Sequence, residues 1–192
     1  MTIPSLTPRA AREQQTFRAL LNAMARPATV FQLPDPEGPG PLLPVAEALV
    51  DHEVTFAALL NDQEISDAVL RQTGSRVAPA EDADYVFCRA ESLAEALRRC
   101  KDGTPEYPDA SATVICAVEA ISEGNANGDS LTLSGPGIRD QTSVRVAGLM
   151  PDAEQAFRER NASPPLGVDV VFVSRSGQAV CLSRYTRLQV ED

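Results

Sequence analysis

Gly135-Pro136-Gly137-Ile138-Arg139 is the sharpest local feature of the sequence. Two glycines around a proline make a tight turn without bulky side chains, whose backbone can approach an anion or a neighbouring chain closely. It is not a phosphate-binding P-loop, because the G-x-x-x-x-G-K-[ST] spacing is absent and proline removes one of the amides such a loop needs. A purely structural rigid turn is an equally good reading. Arg184-Tyr185-Thr186-Arg187 sets two guanidinium groups beside two hydroxyls, a combination suited to phosphate or carboxylate. The same run also reads as a solvated edge. Asp169 is the one charge within the apolar run Val168-Asp169-Val170-Val171-Phe172-Val173. A carboxylate in such a place needs an arginine or backbone amides as partners, for structure or for a site.

Other chemistries are poorly supplied. His52 is the single histidine, flanked by Asp51 and Glu53. Side chains of sequence neighbours diverge, so the triplet forms no cluster by itself, and one histidine cannot build a three-histidine metal centre. No G-x-S-x-G elbow accompanies it. No metal site is expected. Lys101 is the only lysine, at the end of a charged helix, a position that reads as solvated. A pyridoxal-phosphate (PLP) enzyme anchors its cofactor through lysine, so PLP chemistry is not expected. Cys88, Cys100, Cys116 and Cys181 stand far apart without a C-x-x-C pair and read as small buried hydrophobes.

The 17 basic and 27 acidic residues leave a net charge of −10, which disfavours a general nucleic-acid binder. Sixteen of the basic residues are arginine, so anions would be held by planar forks and not by ammonium point charges. No apolar run approaches the roughly 20 residues of a membrane span, and no signal-peptide pattern opens the chain. A cytoplasmic location is expected.

The elements that must position these residues follow from periodicity. Phe17, Leu20, Leu21 and Met24 form an apolar stripe that predicts a helix over Pro8–Ala25, ended by Pro27. Ala28–Leu33 reads as a short strand, Pro44–Asp51 as a helix, and Val54–Leu60 as strand or helix. A helix is expected over Asp62–Gln72, with Ile65, Val69 and Leu70 inward and Gly74 as its stop. Tyr85–Cys88 reads as a buried strand. Ser92 and Glu95 form a capping box for a helix ending near Lys101. Thr113–Val118 and Val168–Val173 are β-branched runs that predict central strands. Asn125–Gly128 supplies a turn before a strand over Ser130–Ser134. Pro151–Arg160 is a helix with proline in its first turn. Ser176-Gly177 turns the chain into Ala179–Leu182, and a last strand covers Arg187–Val190. The expected architecture is a single α/β domain over residues 1–192, a mixed sheet covered by helices.

Four segments together resemble the PhnH family of the bacterial carbon–phosphorus (C–P) lyase system. Phe17-Arg18, Leu20-Leu21, Ala23-Met24 and Pro27 are similar to its F-R-x-L-L-x-A-M-x-x-P-G opening, with Ala28 where glycine is common. Leu131 to Ile138 resembles its L-x-L-x-G-P-G-I segment. Pro165-Leu166-Gly167-Val168-Asp169 resembles F-P-x-G-[IV]-D, with Pro164 in place of the aromatic. Arg184 and Thr186 stand in a P-R-T-T-like stretch, with Ser183 and Tyr185 as departures. The resemblance implies a fold related to the large domain of PLP-dependent transferases, without the cofactor. It implies a homodimer that assembles with PhnG, PhnI and PhnJ subunits. It implies a part in the step where methylphosphonate displaces adenine from ATP, giving α-D-ribose 1-methylphosphonate 5-triphosphate. Candidate ligand or interface residues are then Arg18, Gly135, Pro136, Gly137, Ile138, Pro165, Gly167, Asp169, Arg184 and Thr186, with ATP or a phosphonate as candidate ligand and no catalytic residue assigned. The alternative is a free-standing enzyme or binding protein for a small phosphorylated ligand.

Overall fold

A computed structural model describes residues 7–34, 40–60, 63–124 and 130–189. The expected turn at Asn125–Gly128 lies outside the described residues. Among the described residues, five α-helices and eleven strands follow the order α1 (Pro8–Ala25), β1 (Phe31–Gln32), α2 (Leu42–Leu49), β2 (Thr55–Leu59), α3 (Gln63–Thr73), β3 (Arg76–Val77), β4 (Tyr85–Arg89), α4 (Leu93–Arg99), β5 (Thr113–Val118), β6 (Ala120–Glu123), β7 (Ser130–Ser134), β8 (Thr142–Ala147), α5 (Pro151–Arg160), β9 (Asp169–Ser174), β10 (Gln178–Leu182) and β11 (Arg187–Leu188).

The strands form two sheets. A seven-stranded mixed sheet runs β1-β10-β9-β5-β4-β2-β3. Its strands β3, β2, β4, β5 and β9 are mutually parallel, while β10 pairs antiparallel with both β9 and the edge strand β1. The second sheet, β11-β7-β8-β6, is antiparallel and was not legible as a separate layer. Alternation along the parallel strands sends side chains to two cores. Phe56, Phe87, Ile115, Val171 and Val173 face a core shared with α1, α2 and α3. Val86, Val114, Val170 and Phe172 face the opposite core, with α4, α5 and the apolar side of the second sheet. Both faces of the parallel strands are therefore covered, as their near-continuous hydrophobicity requires.

Helix α1 has the predicted bounds. Thr7 Oγ1 accepts the Ala10 amide at 3.2 Å and Pro8 needs no amide partner. Its inward face differs from the expected stripe: Thr16, Leu20 and Ala23 are buried, while Phe17 (48% exposed), Leu21 (56%) and Met24 (41%) face outward. The small residues Ala23 and Thr16 let α1 lie close on β10 and α2, which leaves the larger side chains as an outer ridge. Beyond α1, the predicted strand over Ala28–Leu33 shortens to two residues, because Ala28 turns at φ +67°. In α3, Ile65 and Val69 face inward as expected, Leu70 is 43% exposed, and Gly74 at φ +67° ends the helix by donating to the Leu70 carbonyl.

The capping box at α4 is corrected. Ser92 closes a 3-10 turn over Ala90–Ser92 and its side chain caps nothing; Glu95 instead binds Arg99 at 2.8 Å. The helix ends at Arg99, so Lys101 lies in the chain after it. Lys101 is not the solvated group its pattern suggests. Its Nζ donates to Asp84 Oδ1 at 2.6 Å, with 28% of the side chain exposed. Asp84 Oδ2 in turn accepts from the Thr55 amide and hydroxyl, both at 2.8 Å, which ties the starts of β2 and β4 together. Burial raises the Asp84 carboxyl, but Lys101 and Thr55 outweigh it and hold the group below its ordinary value.

All four cysteines are buried free thiols, as their sequence context indicates. The hydrogen bond with Cys116 and burial push the Cys88 thiol up. Burial raises Cys100 to about 11 and Cys181 to about 12. Thiols held protonated in this way are poor nucleophiles. His52 sits in an exposed turn after α2, where Asp51 Oδ1 accepts the Glu53 amide at 2.8 Å.

Candidate functional site

The three most distinctive sequence segments meet at the amino edge of the parallel strands. Strand β9 begins there with Asp169, opposite Thr113 at the start of β5. Strand β10 runs the other way and delivers Arg184 to the same edge. Asp169 Oδ1 accepts the Arg184 amide and Oδ2 accepts Arg184 Nη2, both at 2.8 Å. Arg184 Nη1 donates to the Pro108 carbonyl at 2.6 Å. The guanidinium group is thus a strut between β9 and the loop before β5, with both side chains of the pair less than one-fifth exposed. Asp169 thus has both kinds of partner that a carboxylate in an apolar run needs, an arginine and a backbone amide.

Gly135 and Gly137 pack against backbone and proline. A Cβ on Gly135 (φ +130°) would stand 2.7 Å from the Tyr185 carbonyl oxygen. One on Gly137 (φ +83°) would stand 2.9 Å from Pro27 Cδ. The turn closes with the Ile138 amide donating to the Gly135 carbonyl at 3.1 Å, and Ile138 packs on the core beneath. Proline between the two glycines is exposed and stiffens the turn. Gly167 (φ +132°) is buried against the side chains of Asn161 and Arg184. Asn161 closes the α5–β9 connection, accepting the Val168 amide at 2.8 Å and donating to its carbonyl at 3.2 Å. Thr186 is buried, its hydroxyl 3.2 Å from that of Ser183.

Between these pieces lies an open cavity of about 700 Å³. Gly135 and Pro136 form one wall, the end of α5 with Arg158 and Asn161 another, and Arg184 to Leu188 the third. The size is that of an ordinary small-molecule site. Among the described residues its lining holds three arginines, Arg158, Arg184 and Arg187, and no carboxylate. Of the sequence-derived candidates, Gly135, Pro136, Arg184 and Thr186 line this cavity. Gly167 and Asp169 contact Arg184 without lining the cavity, Gly137 is exposed against Pro27, Ile138 packs on the core, Pro165 is exposed next to the lining Pro164, and Arg18 does not join them: it lies exposed on α1. Arg158 and Asn161 were missed, since the end of an amphipathic helix gives no sign of what its solvent side will face. Among the described residues, no group of three or more His, Cys, Asp or Glu could hold a metal ion.

The family model described as bacterial phosphonate metabolism protein (PhnH) matches residues 4–189. The chain belongs to the PhnH family. A putative C-P lyase subunit protein, HtxG of Stutzerimonas stutzeri, is 36% identical over 182 residues, covering 95% of this chain and 88% of HtxG. The alpha-D-ribose 1-methylphosphonate 5-triphosphate synthase subunit PhnH of Rhizobium meliloti (strain 1021) is 30% identical over 186 residues, covering 93% of this chain and 90% of that subunit. In this PhnH-family chain the glycine, proline and arginine motifs act first as joints of the fold. They bring β7, β9, β10 and the end of α1 to one corner. Open α/β sheets usually bind ligands beyond the carboxyl ends of their strands. The cavity here lies at the opposite edge, where β10, β11 and the second sheet build it.

Proposed function

We propose that this chain is a non-autonomous subunit of a C–P lyase-type assembly, contributing to the step in which methylphosphonate displaces adenine from ATP. The observation that carries the reading is kinship over nearly the whole chain with two proteins named as such subunits. The cavity agrees with it. Among the described residues its lining offers guanidinium groups, hydroxyls and an amide, with Tyr185 as the one side chain of general acid–base type and no carboxylate, histidine, cysteine or lysine. The chain works as a homodimer joined to PhnG-, PhnI- and PhnJ-type subunits. The outward ridge of Phe17, Leu21 and Met24 supports a life in an assembly, because three large apolar side chains on one helix face form a contiguous patch. The fold is related to the large domain of PLP-dependent transferases and functions without PLP. The mixed sheet covered on both faces and the pairing of Lys101 with Asp84 support that reading.

Co-purification tests it. A tagged copy co-expressed with PhnG-, PhnI- and PhnJ-type subunits is expected to retain them through size-exclusion chromatography. Elution of the tagged chain without them would sink the proposal.

A further inference from the structure

The cavity at the amino edge of the sheet has an electrostatic character opposite to that of the chain. The protein carries 27 acidic and 17 basic residues, yet among the described residues the charged groups that line the cavity are three arginines and no acid. The three arginines are not equivalent. Arg184 has its two terminal nitrogens committed to Asp169 and Pro108. Arg158 sits in the last turn of α5, where helix carbonyls favour a cation, and its contact with Glu154 is long at 3.7 Å and exposed. That contact leaves most of its donor fork unused. Arg187 has no such anchor. It stands exposed at the start of the edge strand β11, and no carboxylate among the described residues pairs with it. Two hydroxyl-bearing residues, Ser134 and Tyr185, share the lining with Arg158 and Arg187. Ser134 Oγ already accepts from Gln189 Nε2 at 2.7 Å, so its own proton is free to donate. Tyr185 is 44% exposed at the rim.

We propose that this cavity is an oligophosphate site in which Arg158 and Arg187 hold the anion, Ser134 and Tyr185 donate to it, and Arg184 is a positioning residue behind them. Planar forks and hydroxyls around a space of about 700 Å³ match the charge and size of a triphosphate chain better than those of a single phosphonate group. That the natural source is a nucleotide or its ribosyl triphosphate product rests on the subunit reading above; the anion preference rests on the cavity alone.

The test is calorimetric titration of the purified chain with inorganic tripolyphosphate, ATP, methylphosphonate and a poly-glutamate peptide. Tripolyphosphate and ATP are expected to bind, and methylphosphonate to bind much more weakly. Arg187→Ala or Arg158→Ala alone should weaken tripolyphosphate roughly 10-fold, and the pair about 100-fold, as expected for charged hydrogen bonds. Arg187→Lys should fall between, keeping the charge without the fork. Arg175→Ala, in the β9–β10 turn at the far edge of the sheet, should bind as the parent does. Circular dichroism checks that each variant is folded; both target arginines are surface residues. No tripolyphosphate binding at millimolar concentration overturns the site, as does equal loss in the Arg175 variant. Binding of the peptide alone overturns it too, in favour of an acidic protein segment. A chain that co-purifies with its partners but binds no tripolyphosphate would remove this site and leave the subunit role standing.

Discussion

Arg184→Ala is expected to lower the stability of the chain by about 3 kcal/mol, the cost of leaving one member of a largely buried ion pair alone. The estimate follows from what Arg184 holds. Its side chain is 13% exposed and that of Asp169 18%, so little solvent can replace the lost donors. Removing the guanidinium group leaves the Asp169 carboxylate with the Arg184 amide alone, and strips the Pro108 carbonyl of a donor at 2.6 Å. Asp169→Asn should cost less, because the amide oxygen can still accept from the Arg184 amide. The double variant Arg184→Ala/Asp169→Ala should be less damaged than the sum of its singles, since no charge is stranded. Urea unfolding with the linear extrapolation reads all three. An Arg184→Ala protein as stable as the parent would show that Arg184 is not a strut. A loss of phosphonate growth in this variant should therefore be accompanied by a fall in soluble protein.

Gly135→Ala is expected to cost about 2–4 kcal/mol, near the upper range of single substitutions. Two independent causes act together. At φ +130° an L side chain is strained wherever it points, and the new methyl would meet the Tyr185 carbonyl oxygen at 2.7 Å. Backbone cannot swing aside as a flexible side chain can, so either the turn or the Arg184–Arg187 segment must move. Pro136→Ala is the matched control. Its ring is exposed and makes the turn stiff without filling space, so its loss should cost under about 1 kcal/mol, mainly through the unfolded chain. Thermal unfolding of the two variants separates the explanations. Equal effects would mean that turn stiffness, and not the close approach of two backbones, is what the motif supplies.

Much of the fold was legible because its long elements are locally consistent. Helix α1 from Pro8 to Ala25, β5 from Thr113 to Val118, β7 from Ser130 to Ser134 and α5 from Pro151 to Arg160 have the bounds their periodicity and caps predict. Strand β8 was missed for a physical reason. In Thr142–Ala147 only Val144 and Val146 are fully buried, and Arg145 between them faces the half-exposed side, so no apolar run announces it. Strand β6 buries Ile121 alone. The inward face of α1 was misjudged because sequence gives the stripe but not the neighbour. Close packing on β10 selected Ala23 and Thr16 over Phe17 and Met24. At the site, the glycine and proline motifs and Asp169 with Arg184 could be read from composition and context. Arg158 could not, since a basic residue in a last helical turn has a sufficient local reason to be there. Only the chain's path from Asn161 to Gly167 brings it to the cavity.

As a C–P lyase subunit, this chain is expected to need its partners for the reaction. Adenine release from ATP and methylphosphonate, followed by chromatography, tests that most directly. The purified chain should release none above the buffer control, and release should appear when the partner subunits are added. Turnover by the chain alone would contradict the account.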